Sequence, residues 1–470
     1  MLSRRTFLKG LAAAGPAILL HGERARAANA KRPNLIFVFA DQLRACSVGC
    51  LGEEQVRTPS MDKLASQGVL FTNAYSANPV CTPYRATLHT GRYCHANGIM
   101  QNDVQLPLDS VTLPKVLRSA GYKTAFVGKW HLHGGPRMPG FVPPGPARQG
   151  YDFWAANICQ HDYFRTVYFR DTPEPIRMQG YEPDGFTDEA IGFIKANKDG
   201  PFFLCLAWGP PHDPYVAPPE YMRQYRQEEI RLRPNVPKEL NGAAANDANR
   251  IAAYYAATTN VDWNLGRLMA ALDGLGIAED TVLVFSSDHG DMLGSQGEAK
   301  KCRPWEESAN VPLILRYPRR GRSGAKSDVL VNSVDVMPTL LSLAGVPIPE
   351  SVQGRDLSFA ALGKQGAEPP SLYLAFYCTW QGMKPWRAVV TKDWKYARHE
   401  AGPWLLYDRK SDPFELKNLA SEPGLATRRE GLDRELAAWM AKTGDDWRKF
   451  TFPDLHPSRN PRPWGQKMKE

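Results

Sequence analysis

Much that would narrow the reading is missing from these 470 residues. No Cys-x-x-Cys pair occurs, which argues against a structural zinc site. The cysteines at 46, 50, 81, 94, 159, 205, 302 and 378 fix no disulfide pattern, and a chain this long needs none. There is no internal repeat and no low-complexity linker. No apolar run is long enough to span a bilayer comfortably; Gly10 to Leu20 falls short. A strong charge of one sign is missing too. The formal net charge is +9, and residues 1–27 hold Arg4, Arg5, Lys9, Arg24 and Arg26 against Glu23, so four of those charges belong to the leader. The +5 that remains is weak evidence for nucleic acid and suits an anionic substrate equally well. Apolar content of 43% and charged content of 23% exclude disordered and collagenous classes.

What is present begins with a leader. Ser3-Arg-Arg-Thr-Phe-Leu-Lys9 precedes the apolar run, and small residues follow up to Ala27 or Ala30. This reads as a twin-arginine signal peptide over residues 1–27, with a short anchor helix as the competing reading. No cysteine lies near the cleavage region, so a lipoprotein is not expected. The expected route is the twin-arginine translocase, which carries folded proteins to the periplasm or beyond.

The remaining length predicts a large α/β domain over residues 31–360 and a smaller α+β unit with a tail over 361–470. Asn34–Ala40, Pro201–Trp208 and Thr281–Ser287 are continuous apolar runs of the kind that buried parallel strands require. Thr58-Pro-Ser-Met starts a helix with Thr58 as N-cap, and Thr82-Pro83 starts another. Thr112–Ala120, Ile251–Leu272 and Val334–Gly345 are further helices. Tyr122–His131 reads as a strand that runs into a loop and sets Lys129 and His131 on one face. After residue 360, short alternating runs and a helix near 426–442 predict a small antiparallel sheet with one helix.

Chemistry-bearing residues gather at the ends of these strands, where open α/β sheets collect ligands. Asp41-Gln42 follows the first, His212 the second, and Asp288-His289 the third. Lys129, His131 and Lys301 lie at strand ends or in adjoining loops. Cys81-Thr-Pro-Tyr-Arg85 sits at a helix N-terminus, where backbone N–H groups favour negative charge. Singly, each is an ordinary residue; a lone cysteine is most often a small buried hydrophobe.

Together they carry a resemblance. Cys81-Thr-Pro-Tyr-Arg85 with Leu88-His-Thr-Gly-Arg92 is similar to the signature of the formylglycine-dependent sulfatases, in the alkaline-phosphatase-like superfamily. Thr58–Asp62, Gly128–His131, Pro211-His212, Ser287–Gly290 and Glu306-Glu307 follow the family's blocks in order. The resemblance runs from about residue 32 to 420. It implies a large, mostly parallel sheet between helices and a small C-terminal antiparallel sheet. It also implies that a maturation enzyme converts Cys81 to formylglycine, whose hydrate attacks sulfur. By matching position, Asp41, Gln42, Asp288 and His289, with the modified Cys81, hold one divalent metal. Arg85 supports the nucleophile, while Lys129, His212 and Lys301 neutralise the sulfate. His131 is the implied base, and His212 with Lys301 the implied acid. Lys301 is preferred to Lys300 by its spacing from Glu306.

Gln42 and His289 depart from the commoner aspartate and asparagine of the family. They resemble the branch with choline sulfatases and phosphonate monoester hydrolases. Calcium is the expected metal, with manganese open. An exported hydrolase of sulfate esters, with sulfated carbohydrates the favoured substrates, is the leading expectation. A phosphonate monoester hydrolase or phosphodiesterase is the alternative, and an inactive carbohydrate binder the third. Trp130, Trp154, Trp208, Trp305, Trp380, Trp386 and Trp404 are candidates for stacking on sugar, although most tryptophans anchor cores.

Overall fold

Every residue of β1 (Asn34–Asp41) is buried, and its side chains alternate between two cores. Leu35, Phe37 and Phe39 join one cluster; Ile36, Val38 and Ala40 join the other. A strand covered on both faces cannot alternate polar with apolar residues, which is why it reads as an unbroken apolar run. The computed structural model describes residues 32–52, 55–238, 248–380 and 382–450. The expected leader, and the tail from residue 451, lie outside them.

The main sheet also contains β2 (Val69–Tyr75), β3 (Lys123–Lys129) and β4 (Phe153–Asn157). A two-residue hairpin follows, β5 (Val167–Tyr168) with β6 (Ile176–Arg177). The sheet is completed by β7 (Phe202–Pro211), β8 (Thr281–Ser287), β9 (Leu313–Arg316) and β10 (Ala325–Asn332). Its spatial order is β10-β2-β9-β8-β1-β7-β3-β4. Only β9 runs antiparallel to its neighbours, so β1, β3, β7 and β8 end on one edge. Helices α1 (Pro59–Ser66), α2 (Cys81–Thr90), α3 (Leu113–Ser119), α4 (Glu182–Asn197), α5 (Ala248–Gly274) and α6 (Val336–Leu343) cover it. α2, α3 and α6 pack on the Phe37 side, and α1, α4 and α5 on the Ile36 side.

A second sheet of β11 (Ser371–Phe376), β12 (Trp386–Thr391), β13 (Trp394–His399) and β14 (Gly402–Asp408) is wholly antiparallel. Leu372, Leu374 and Phe376 face the main domain through Tyr75, Val80 and Trp305. Tyr373, Ala375 and Tyr377 face helix α7 (Ala426–Thr443) through Leu432 and Leu436. The large mixed, mostly parallel sheet and the small antiparallel sheet with one helix are thus both as the sequence predicts. Among the described residues, no helix is long and apolar enough to cross a membrane.

The unanticipated strands are the weakest in pattern. β4 and β10 are the two edges of the sheet, and β10 carries Lys326 and Asp328 among its residues. Thr58 does precede α1, but its hydroxyl accepts the Gly49 N–H at 2.8 Å instead of capping the helix. The capping is done by Asp262 of α5, whose carboxylate accepts the Ser60 and Met61 N–H groups at 3.0 and 2.7 Å. All eight cysteines are free thiols.

Candidate active site

The edge where β1, β3, β7 and β8 end is polar but buried. β1 delivers Asp41, and β8 is followed by Asp288 and His289. Gln42 adopts a left-handed backbone, φ 70°, which turns the chain so that its N–H donates to Asp288 Oδ1 at 3.0 Å. Gly290 cannot carry a side chain, because a Cβ there would lie 2.0 Å from the Glu307 carbonyl oxygen. The ring of His289 is fixed by Nδ1–H donating to Gly290 O at 2.9 Å. Its Nε2 is thereby turned to Cys81 Sγ, Asp288 Oδ1 and Asp41 Oδ1, at 3.3, 3.5 and 3.6 Å.

Cys81 is the first residue of α2, and Asn102 Oδ1 caps that end by accepting the Thr82 N–H at 2.9 Å. Sγ lies 3.1 Å from Lys301 Nζ and 3.6 Å from Asp41 Oδ1. Burial opposes ionisation of this thiol, but Lys301, Lys129 and His289 outweigh it and hold its pKa well below the usual range. One turn along α2, Arg85 Nη2 donates to Asp41 Oδ2 at 3.0 Å and to Asp288 Oδ2 at 3.2 Å. Its Nη1 donates to the Lys129 carbonyl, and the guanidinium lies 4.8 Å from the Phe39 ring centroid. One cation thus ties together both acidic strand ends and the end of β3.

β3 can press against β7 because Gly128 has φ 109° and no Cβ, which would meet Ala207 O at 2.0 Å. The next residue, Lys129, donates from Nζ to Asp41 Oδ2 at 2.6 Å. Burial pushes Asp41 up, as does the Cys81 thiolate, yet the cationic Lys129 and Lys301 prevail and hold it far below the carboxylate range. Asp288 is pushed up to about 6 by burial and by the neighbouring Asp41. Two carboxylates, one stripped of its proton by cations and one crowded by its neighbour, make a site that favours a further positive charge.

His131 reaches the cluster by a route different from the one predicted. β3 ends at Lys129, and His131 is left-handed, φ 55°, so a shared face of extended chain does not apply. Its Nε2–H donates to Asp103 Oδ1 at 2.9 Å, and its Nδ1 makes no hydrogen bond among the described residues. Burial works against protonation of this ring, but Cys159, Asp103 and Cys81 push its pKa up to about 10. His212 follows β7. Its Nδ1–H donates to the Asp213 carbonyl at 2.7 Å, and its Nε2 accepts from Lys301 Nζ at 2.9 Å. Burial, then Lys301, lowers its pKa to about 4, so His212 is a neutral acceptor and the proton resides on Lys301.

Lys301 is buried between two left-handed residues, Lys300 (φ 60°) and Cys302 (φ 73°). That strained turn is held by Asp291 accepting the Lys300 N–H at 3.1 Å and Pro79 accepting the Cys302 N–H at 3.2 Å. Lys300 points away from Cys81 and donates to Asp213 Oδ2 at 3.2 Å. Removing the buried cation tests this arrangement. Lys301→Gln is expected to lower kcat on a sulfate ester by about 10²–10³-fold, with Lys300→Gln changing it little; equal losses in steady-state assays would contradict the geometry.

Among the described residues, the side chains able to hold a metal are Asp41, Cys81, Asp288 and His289, whose ligand atoms lie within 4.8 Å of one another. Gln42 Nε2 donates to Asp291 Oδ2 at 2.6 Å and Asp213 Oδ1 at 3.3 Å, so its Oε1 faces Lys301 at 2.9 Å, beside the cluster. Two carboxylates, an amide oxygen and an imidazole whose Nε2 faces both carboxylates and Cys81 fit a hard divalent cation. Every site residue expected from the sequence is drawn into this one region. Sequence reading missed Asn102, Asp103, Cys159, His161, Asp213 and Asp291, which carry no motif. His161 stacks on His212 with centroids 4.4 Å apart, and Lys129 Nζ lies 3.5 Å from its Nε2.

Residues 33–346 match the sulfatase family profile, about two thirds of the chain. The chain belongs to the sulfatase family. Residues 294–442 of this sulfatase also match the C-terminal profile of N-sulphoglucosamine sulphohydrolase. It is 35% identical over 431 residues to an ulvan-active sulfatase of Formosa agariphila, covering 90% of this chain and 83% of that one. An N-acetylglucosamine-6-O-sulfatase of Bacteroides thetaiotaomicron is 28% identical, with 86% and 85% covered. A structure solved with its substrate D-glucosamine-2-N,6-O-disulfate superposes with a TM-score of 0.80 at 26% identity, covering 88% and 99%. The enzyme is a sulfuric ester hydrolase, as the Cys81 motif implied.

Proposed function

We propose that this sulfatase is exported and hydrolyses sulfate esters of carbohydrates, with Cys81 converted to formylglycine. The observation that carries the reading is the position of Cys81 Sγ, buried between Lys301 Nζ, His289 Nε2 and Asp41. A saccharide substrate is supported by the substrates named for its relatives. Residues 1–27 support passage through the twin-arginine translocase to the periplasm or medium. The division into a catalytic domain over 31–360 and a C-terminal unit over 361–470 belongs to the same proposal, as does dependence on a formylglycine-generating enzyme.

In this reading Asp41, Gln42, Asp288, His289 and the modified Cys81 hold one divalent ion, calcium or, given the imidazole, manganese. Ion and aldehyde together supply an activated oxygen nucleophile at neutral pH. The chain's own residues do the rest. Lys129 and Lys301 present buried positive charge to the sulfate oxygens, and Arg85 keeps the acids in register. Lys301 holds the proton destined for the leaving oxygen, and His212 Nε2 orients it. His131 keeps Nε2–H on Asp103 and offers Nδ1 as the proton acceptor, a role that needs the neutral ring. Conversion of Cys81 removes one of the thiols that favour the charged ring.

Gln42 and His289 favour a second reading, a phosphonate monoester hydrolase or phosphodiesterase with the same site. Sulfate monoester and phosphate diester of one leaving group separate them. The sulfate ester is expected to give the higher kcat/KM; a diester preferred by orders of magnitude would overturn the proposal. Trp130, Trp154, Trp208 and Trp386 are fully buried core anchors, and Trp305 is nearly so. Trp380 and Trp404 are only partly buried, packed against the core under the small sheet, and remain the two candidates for contact with sugar. Trp404 is held by His399, stacked at 4.4 Å.

A further inference from the structure

Arg137 lies in the Gly- and Pro-rich stretch after β3, and nothing in its sequence setting marks it. The structure pins that stretch beside the site. Met138 O accepts the Cys159 N–H at 3.1 Å and Pro139 O accepts the Ile158 N–H at 2.5 Å. The same short segment pins His131, whose N–H donates to Ile158 O at 2.8 Å. Arg137 and His131 therefore stand side by side, and their side chains share one partner. Asp103, only 6% exposed, accepts His131 Nε2 and Arg137 Nε on the same Oδ1, at 2.9 and 3.0 Å. Asp103 is itself anchored to the start of α2, its N–H donating to Thr82 Oγ1 at 3.3 Å.

The Arg137 side chain is 45% exposed, and only Nε is engaged. Its Nη1 and Nη2 have no partner among the described residues. A guanidinium fixed at Nε presents its outer N–H groups as a preorganised fork, and such forks bind carboxylate or sulfate bidentately. An unanchored surface arginine would lose side-chain entropy on binding; one held by a buried carboxylate has lost much of it already. Only Asp103 stands between the fork and the His131 ring, and Arg137 is near enough to Cys81 to feel its charge.

We infer that Arg137 forms a subsite for a second anionic group on the substrate, selecting saccharides that carry a carboxylate or another sulfate near the scissile ester. This rests on the sulfatase reading above and narrows its substrate class.

The test uses the full mature enzyme and its Arg137→Gln and Arg137→Lys variants. Three probes are compared: 4-nitrophenyl sulfate, a sulfated disaccharide with a uronate neighbour, and a disulfated disaccharide. Arg137→Gln is expected to lose about 10–100-fold more kcat/KM on an anionic disaccharide than on 4-nitrophenyl sulfate, chiefly through KM. Arg137→Lys, which keeps charge without the fork, is expected to recover part of that loss. The disaccharide with the larger loss identifies the group as carboxylate or sulfate. Equal loss on all three probes, carried by kcat, would assign Arg137 to positioning His131 and overturn the subsite. No differential loss would overturn it as well. If wild-type enzyme hydrolyses none of the three sulfates but cleaves a phosphate diester, the sulfatase reading fails and the inference falls with it. Sulfate turnover without discrimination by Arg137→Gln removes the inference alone.

Discussion

Cys81→Ala is expected to lower kcat/KM on any sulfate ester by about 10⁴-fold or more, equivalent to roughly 5.5 kcal/mol of transition-state stabilisation. The magnitude follows from what is removed. Alanine deletes the precursor of the nucleophile and leaves Asp41, Lys301 and His289 facing a small gap. The fold should tolerate the change, because Sγ supports no strand pairing and α2 is capped by Asn102. Circular dichroism of the variant should match wild type. Mass analysis of the wild-type peptide spanning Cys81 is the companion measurement. From a host with the maturation machinery, it should show an aldehyde where the thiol was. Activity of Cys81→Ala within ten-fold of wild type would place the nucleophile elsewhere. Unmodified Cys81 from such a host would remove formylglycine from the proposal and favour the carbohydrate-binding reading.

The second large effect is on stability, far from the chemistry. Lys395 of β13 is fully buried and pairs with two acids, Glu306 and, at 2.8 Å, Glu415. Burial pushes both acids up; Lys395 and Arg409 overcome this for Glu306, which is held at about 2, while Glu415 stays raised at about 7. Lys395→Met would leave two carboxylates facing each other without their central cation. Breaking a buried pair in this way costs about 3–5 kcal/mol, or about 3–5 °C in Tm for a chain of this length. Glu415→Gln, which leaves the Lys395–Glu306 pair intact, should cost less. The triad also joins the small sheet to the loop of Lys301, since the Glu306 N–H donates to Glu415 Oε2 at 2.9 Å. Lys395→Met should therefore lower kcat as well, by less than Lys301→Gln does. Thermal scans at a fixed rate check the ordering. A Tm for Lys395→Met at or above wild type would show the triad to be dispensable.

Legibility followed the reach of the interactions involved. Strand β8 was readable because a strand buried on both faces must be apolar throughout. α2 was readable because Pro83 in a first turn is a local signal. Edge strands β4 and β10 were not, since one side of each is unpaired and mixed composition is tolerated there. The Thr58 cap went to Asp262, roughly two hundred residues away, and no local rule anticipates a side chain from another helix. His131 lies beside the cluster, though not through a shared face of extended chain: period two ended with β3, and a left-handed turn brought the ring in.

By itself, the sequence determined the class of sheet, the strand ends on which chemistry gathers and, through the Cys81–Arg85 motif with its companion blocks, the family. Those features are local: apolar runs, proline and glycine positions, and residue identities in fixed order. Only the tertiary structure decided the supporting partners. Asp103 behind His131, Asp291 behind Gln42, and Lys301 facing Cys81 while Lys300 turns to Asp213 are settled by folding. So is the free fork of Arg137. Aspartates, glutamines, lysines and arginines occur all along the chain with the same local preferences. A buried charge or amide is placed by the partner it must find, and that partner is supplied by another strand end or loop once the sheet has formed.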